Sequence, residues 1–185
     1  MQNLSQSLNK PVKYIPHGYH IATDNELQII NDLYIKNINR FSKFYDKNLA
    51  NKTIDYVFKS ENQLKLLSVN FGKENFAHLL GLRFDRRKPN QVLTDILDNK
   101  TPNAILIKND RTTFLKLQVL SSAKEILHTD GLILSDLSKI EQIHKLNLNK
   151  GIKSSDKNLM ILLRTSKNDG IVPASHFTIV QLKSV

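Results

Sequence analysis

The residues of this sequence that could do chemistry are few and lie far apart. They form a scattered set: His78, Lys116, Arg164, Ser175 and His176. Histidine can transfer a proton near neutral pH, lysine and arginine can hold anionic oxygens, and a serine hydroxyl can donate a hydrogen bond. Each of these residues alone is a weak indication of a catalytic site.

The same residues have ordinary structural explanations. On the residues alone, His78 is better explained as a partly buried, hydrogen-bonded histidine beside an apolar helical stripe than as a catalyst. Lys116 and Arg164 would by default be solvated, and Ser175 would be a turn or bulge residue. Because side chains alternate along a strand, Ser175 and His176 point to opposite faces, so at most one of them lines a given cleft.

Several common kinds of site are missing from the sequence. There is no P-loop, dinucleotide glycine fingerprint, nucleophile elbow, HExxH motif or carboxylate cluster with metal spacing. The chain has no cysteine, which excludes disulfides and thiolate zinc sites. His17 and His20 have a spacing that could suit a metal, but no adjacent group completes a site. We therefore expect neither a metal nor a cofactor.

The composition indicates a basic protein. Its 185 residues include 27 Lys+Arg and 17 Asp+Glu, a net charge of +10. This charge favours polyanionic partners, nucleic acid first, but a lysine-rich genome would produce the same surface. No apolar run is long enough to span a bilayer, and residues 1–18 lack the apolar region of a signal peptide. The expectation is a cytoplasmic protein with no membrane partner.

The elements that must position these residues begin after an N-terminal arm. Residues 1–22 contain no periodicity, and Tyr14, Ile15 and Tyr19 are the side chains that could dock the arm on a core. Thr23 and Glu26 form a capping box that predicts one amphipathic helix over Asp24–Leu49. Its expected buried residues are Leu27, Ile30, Leu33, Phe41 and Phe44.

The remaining chain predicts a single domain, 23–185, that mixes strands and helices. The predicted elements are a hairpin of Thr53–Lys59 and Leu64–Phe71, a helical turn around His78 that Gly81 ends, a short helix after Pro89, an ambiguous strand or helix at Ala104–Lys108, a helix at Thr112–Leu127, and strands at Leu132–Leu137, Asn158–Thr165 and Ile171–Leu182. Residues near 138–157 are polar and predict a variable, mobile insertion. Pro173 must sit at an edge, a bulge or the first residue of its strand.

Three segments, in this order, carry a resemblance to a known family. They are Asn75–Leu82 (NFAHLLGL), Thr113–Leu120 (TFLKLQVL) and Val172–Phe177 (VPASHF). They resemble the phage-borne nucleases grouped with barnase, EndoU, colicin and RelE toxins. The nearest group carries N-F-x-H-L-x-G, K-L-x-x-L and P-x-S segments.

The resemblance implies a fold and an activity. The fold is α+β, with N-terminal helices packed on an antiparallel sheet of about four strands. The activity is metal-independent cleavage of RNA by the ribose 2′-hydroxyl, leaving a 2′,3′-cyclic phosphate. His78 would be the acid or base, Lys116 and Arg164 would clamp the phosphate, and Ser175 would bond the phosphate or ribose.

Other residues are candidates for contact with the substrate. They are Arg86, Arg87, Lys88, Tyr56 and His176, of which Tyr56 or His176 could supply a second proton-transfer group. The alternative function is an inactive member of the fold from a mobile element. Such a protein would bind nucleic acid or inhibit a host defence nucleoprotein, and an immunity protein is another candidate partner.

Overall fold

The computed structural model describes residues 11–100, 102–128, 132–135, 150–156, 158–166 and 170–178. Within these ranges the α-helices are α1 (Asp24–Ile29), α2 (Ile35–Asn48), α3 (Lys73–Leu80), α4 (Pro89–Leu97) and α5 (Thr112–Gln118). The strands are β1 (Tyr19–Ile21), β2 (Lys52–Ser60), β3 (Gln63–Phe71), β4 (Arg83–Phe84), β5 (Ile105–Lys108), β6 (Leu132–Ser135), β7 (Lys150–Lys153), β8 (Leu159–Thr165) and β9 (Ile171–Thr178).

The strands form two sheets. The larger has six strands in the order β2-β3-β9-β8-β7-β6, and the smaller has the order β1-β5-β4. All pairings are antiparallel except that of β3 with β9, which is parallel. The predicted α+β class is confirmed, with more strands than the expected four and one parallel pair.

The N-terminal helix is confirmed, with one irregularity. Thr23 and Glu26 form the predicted capping box, in which the Thr23 N–H donates to Glu26 Oε2 at 2.9 Å. The chain stays helical to Asn48, but a π-helical turn at Ile30–Tyr34 joins α1 to α2. A π turn holds one extra residue, so it rotates the apolar stripe. For that reason Ile30 and Ile35 are both buried, and the prediction that Leu33 is buried is wrong, since 64 % of it is exposed.

Aromatic packing joins α2 to the elements that carry His78. The Phe41 ring stacks on Phe76 of α3 with centroids 5.4 Å apart, and Tyr45 lies 5.3 Å from Phe76. Tyr45 also meets Phe71, at the end of β3, edge-on at 6.3 Å. Burial of such rings is among the largest stabilising contributions in a core. The core therefore lies between α2, α3 and the larger sheet, and it fixes α3 in place.

Two other predicted elements differ from the structure, and the alternative left open at Ala104–Lys108 is decided. The helix expected at Thr112–Leu127 is divided, because α5 ends at Gln118 and a 3₁₀ helix follows over Leu120–Leu127. The ambiguous segment before Lys108 is a strand, β5, at the centre of the smaller sheet. The far end of the polar region 138–157 is β7, an interior strand, while residues 136–149 lie outside the described residues.

Pro173 lies at a bulge, as one of its predicted positions required. Leu163 pairs with Pro173 and Leu162 pairs with Ser175, so Ala174 is the extra residue of β9. Proline cannot donate to a sheet ladder, and a bulge is where an interior strand tolerates it. The strand is well within the sheet, between β3 and β8.

Candidate active site

His78 lies on a short helix that is anchored at both ends. At the start of α3, Asn75 Oδ1 accepts from the Gly72 N–H at 2.8 Å, and the Tyr45 hydroxyl donates to the Gly72 carbonyl at 2.8 Å. At its end Gly81 takes the left-handed conformation, with φ +69°. Between them Phe76, Leu79 and Leu80 are buried and His78 is half-buried, as their helical spacing predicts.

Three hydrogen bonds connect the segments whose order carried the family resemblance. From α5, Thr113 Oγ1 donates to the Gly81 carbonyl at 2.8 Å, and Lys116 Nζ donates to the His78 carbonyl at 2.9 Å. From α3, Asn75 Nδ2 donates to the Pro173 carbonyl of β9 at 3.2 Å. The two bonds from α5 are made to carbonyls at the C-terminal end of α3, one of which, that of His78, also accepts from the Gly81 N–H at 3.2 Å. The third bond is made to a carbonyl of β9. The motif residues thus join α3, α5 and β9 as well as offering chemical groups.

Lys116 is buried rather than solvated. Only 6 % of it is exposed. Its side chain crosses directly over Gly81, where a Cβ would stand 2.9 Å from Lys116 Cδ. The pKa of Lys116 is lowered to about 7, mainly by burial; the nearby Lys108 charge acts in the same direction and the Asp110 charge opposes it. A cation at the C-terminal end of a helix is favourable, so Lys116 stabilises the end of α3 that carries His78.

The imidazole of His78 is held in its neutral form near neutral pH. Burial lowers its pKa most, followed by the positive charges of Arg83, Lys116 and Arg164. Glu74 acts in the opposite direction. A neutral imidazole can accept a proton, and the surrounding cations would favour a negative charge placed beside it. The structure thus brings His78, Lys116 and Arg164, three of the predicted site residues, into one electrostatic environment.

A cleft of about 180 Å³ opens beside His78. Its basic and aromatic lining residues are Lys13, Tyr14, Tyr19, His78, Arg83, Arg86 and Arg87. The Arg83 guanidinium lies 4.9 Å from the centre of the Tyr19 ring. The sequence reasoning did not assign Arg83, Tyr14 or Tyr19 to the site, although Arg83 begins the basic loop that follows α3.

The basic loop after β4 is largely neutralised by carboxylates. Arg86 Nε lies 3.2 Å from Asp85 Oδ2, and Arg87 Nε lies 2.7 Å from Asp95 Oδ2. Lys88 is exposed and precedes α4. Arg86 and Arg87 line the same cleft as His78 despite these ion pairs.

Ser175 lies on β9, against which both α3 and α5 pack. Its register partner is Leu162, whereas His176 pairs with Ile161. Ile161 belongs to the main core and Leu162 does not, so the two register positions belong to opposite faces of the sheet. Among the residues that the structure describes, no hydrogen bond joins Ser175 to His78, Lys116 or Arg164. The His176 side chain lies outside the described part.

Tyr56 and Arg164 have contrasting environments. Arg164 is exposed on β8. The Tyr56 hydroxyl is buried and is the one such side-chain atom without a hydrogen-bond partner in the described ranges. Burial raises the pKa of Tyr56 above its ordinary value. In this conformation the hydroxyl would need to be uncovered before it could contact a substrate.

Two features are absent from the described ranges. No group of three or more histidine, aspartate or glutamate side chains is placed to hold a metal ion. No helix in those ranges has both the length and the apolarity that crossing a bilayer requires.

Comparison with known proteins gives one match. Residues 37–183 match the model of the family described as phage-Barnase-EndoU-ColicinE5/D-RelE like nuclease4. No curated protein and no solved structure matches the chain. Because the match covers most of the chain, including every segment joined at α3, the protein belongs to the phage Barnase-EndoU-ColicinE5/D-RelE like nucleases.

Proposed function

We propose that the protein is an endoribonuclease that cleaves RNA through the ribose 2′-hydroxyl, without a metal ion. One observation carries this proposal: His78, with a lowered pKa, borders a cleft and lies within the field of Arg83, Lys116 and Arg164. Membership of a nuclease family supports phosphodiester cleavage in general. We choose RNA because its ribose has a 2′-hydroxyl. A neutral histidine can take the proton of that hydroxyl, and nearby cations can stabilise the negative charge that follows.

In the proposed reaction His78 is the general base. It takes the proton of the 2′-hydroxyl, and the 2′-oxygen forms a bond to the adjacent phosphorus. The bond from phosphorus to the 5′-oxygen breaks, and that oxygen takes a proton from water. The hydroxide left behind takes the proton that His78 accepted, which restores the neutral imidazole. The products are a 2′,3′-cyclic phosphate and a 5′-hydroxyl. General base catalysis of this kind is worth about 10²–10⁴-fold in rate.

The cations have separate roles in this proposal. Arg83 and Arg164 stabilise the additional negative charge that the phosphate gains as the 2′-oxygen attacks. Lys116 adds charge in its protonated fraction and holds the backbone of His78 in position. Ser175 remains a candidate hydrogen-bond donor to the ribose or phosphate.

The biological setting is part of the same proposal. The word phage in the family description supports an origin in a mobile element, with RNA in the cytoplasm of a host cell as the target. A net charge of +10 supports attraction to RNA.

The test is incubation of the purified protein with RNA in EDTA, followed by analysis of the fragment ends. Cyclic phosphate ends are expected. The His78→Ala variant should lose cleavage by about 10²-fold or more, since the proposed general base is removed. The matched control is His128→Ala, whose side chain is 59 % exposed and which lies outside the cleft lining. This control should cleave at the wild-type rate.

Three outcomes would overturn the proposal. They are wild-type protein that cleaves no RNA, fragments with 3′-hydroxyl ends, and a His78→Ala variant that is folded and fully active. Salt-sensitive binding of RNA without cleavage would favour the inactive, nucleic-acid-binding alternative.

A further inference from the structure

The cleft beside His78 has a wall that lies outside the family match. The matched residues begin at 37, whereas the wall facing α3 and β4 is built by residues of the N-terminal arm. The arm residues that line the cleft are Lys13, Tyr14, Pro16 and Tyr19. The family match therefore leaves this half of the cleft unassigned.

Polar contacts, one of them to the buried carboxylate of Asp85, hold the arm in place. Asp85, whose side chain is only 2 % exposed, accepts from the Lys13 N–H at 3.1 Å and from Asn103 Nδ2 at 3.0 Å. Arg86 Nη2 donates to the Pro11 carbonyl at 2.8 Å. Arg86 has a left-handed backbone with φ 60°, a conformation that costs a non-glycine residue roughly 1–2 kcal/mol. These bonds attach the arm to the segment after β4, so that it forms one wall of the cleft.

β1 extends this attachment to the smaller sheet. Tyr19 of β1 pairs with Lys108 of β5, and Ala22 N–H donates to the Ile105 carbonyl at 2.9 Å. Tyr19 is thereby positioned beneath the guanidinium of Arg83. The arm contributes one tyrosine that is already packed and one, Tyr14, that is 69 % exposed at the cleft.

An exposed tyrosine beside cations in a cleft fits one kind of ligand well. Nucleic-acid bases stack on aromatic rings, and arginine or lysine holds the adjoining phosphate. Bases within a duplex are paired and stacked on each other, so only a single strand can offer one to an opening of about 180 Å³.

We propose that the N-terminal arm completes a subsite for one nucleotide of a single strand, with Tyr14 stacking on the base and Lys13 and Arg83 contacting the phosphate. His78 lines the same cleft, so the subsite adjoins the bond to be cleaved. The inference rests on the proposed function for its claim that this single strand is RNA. The arm is then the part of the protein that gives the preference for a single-stranded substrate.

The test measures binding of the full chain to a short 2′-O-methyl oligonucleotide, which cannot react through a 2′-hydroxyl. A fully abasic oligomer of the same length and a duplex of the same sequence are the comparison probes. Tyr14→Ala should weaken binding of the single strand by roughly 5- to 100-fold, the range expected for one stacked base. Its affinity for the abasic oligomer and for the duplex should not change.

Two variants control for indirect effects. Tyr14→Phe keeps the ring and should bind like the wild type. Leu33→Ala removes a similarly exposed apolar side chain, 64 % exposed, from a helix outside the cleft lining and should also bind like the wild type.

The results separate this inference from the proposed function. If Tyr14→Ala binds the single strand unchanged, or weakens all three probes alike, the subsite is overturned even when the wild type cleaves RNA. If the ring-dependent loss appears and the wild type cleaves nothing, the subsite stands and the proposed reaction falls.

Discussion

Two pairs of arginines near His78 differ in what neutralises them; Arg83, Arg86 and Arg87 line the cleft, whereas Arg164 lies outside its lining and acts on His78 through its charge. The paired arginines, Arg86 and Arg87, each meet a carboxylate that is nearly buried, on Asp85 and Asp95. The open arginines, Arg83 and Arg164, have no ion pair among the described residues, and their charges lower the pKa of His78. A cation that already compensates a buried carboxylate cannot leave it without cost. A run of basic residues is therefore not by itself a phosphate site.

The largest effect that tests this comparison is on catalysis. Arg164→Ala should lower kcat/KM for RNA by about 10²-fold, because no carboxylate competes for this charge and it can act on the developing phosphorane. Arg86→Ala should lower kcat/KM by less than about 10-fold, since its charge is already partly used. Initial rates on one RNA substrate, with melting temperatures as a fold control, measure both. Equal losses would remove the distinction between the two pairs.

The paired arginines should have their larger effect on stability. Arg87→Ala leaves Asp95, whose side chain is 10 % exposed, with only Lys100 at 3.9 Å. The free energy of unfolding should fall by about 1–3 kcal/mol, the usual cost of an uncompensated buried polar group. Arg164→Ala should stay within about 0.5 kcal/mol of the wild type. Urea denaturation measures both, and a reversed order would contradict the assignment.

Lys116 is a third kind of cation, buried against a carbonyl, and it should make stability depend on pH. Its folded pKa of about 7 lies below the ordinary value of 10.5, so above pH 7 the unfolded chain keeps a proton that the folded protein has lost. Stability should therefore rise with pH, by about 2 kcal/mol between roughly pH 7 and 9.

The variant Lys116→Met isolates this contribution. It should remove the rise measured by urea denaturation at the two pH values, whereas the exposed Lys36→Met should keep it. A Lys116→Met variant with the full wild-type rise would show that other groups produce it.

The smallest expected effect is on the pH dependence of activity. Since the pKa of His78 is lowered, first by burial and then by Arg83, the acid limb of kcat/KM should lie below the ordinary histidine pKa of 6.5. Removing an open arginine raises that pKa, so Arg164→Ala should move the limb to higher pH. Arg86 is not among the charges that act on His78, and Arg86→Ala should leave the limb in place. A limb that moves equally in both variants would contradict the electrostatic assignment.

Much of the local structure was predictable because its causes lie close together in the sequence. The capping box at Thr23, the hairpin of β2 and β3, and the helix end at Gly81 each depend on a few neighbouring residues. The π turn that exposes Leu33 was not predictable, because regular helical periodicity assumes an unbroken 3.6-residue repeat. The division of the segment after Thr112 into α5 and a 3₁₀ helix was missed for the same reason.

The candidate site was predictable only in part. The order of three short segments indicated the family, and with it His78 and Lys116. The fold brings these two residues into one electrostatic environment with Arg164, which lies outside those segments. Tyr14, Tyr19 and Arg83 were missed because nothing in a single sequence shows that an arm near residue 14 lies across a helix near residue 78. That Ser175 lies close to His78 and Lys116 remains a prediction. Its register position belongs to the face of the sheet opposite the main core.

By itself, the sequence determined the elements with local causes, the excess of positive charge and the family. Only the tertiary structure decided which of those charges are neutralised. Arg87 finds Asp95 on a neighbouring helix, and Lys116 reaches a carbonyl 38 residues away in the chain. The physical reason is that a side chain's pKa and partners depend on what packs around it, and the packing neighbours of His78 come from distant segments of the chain.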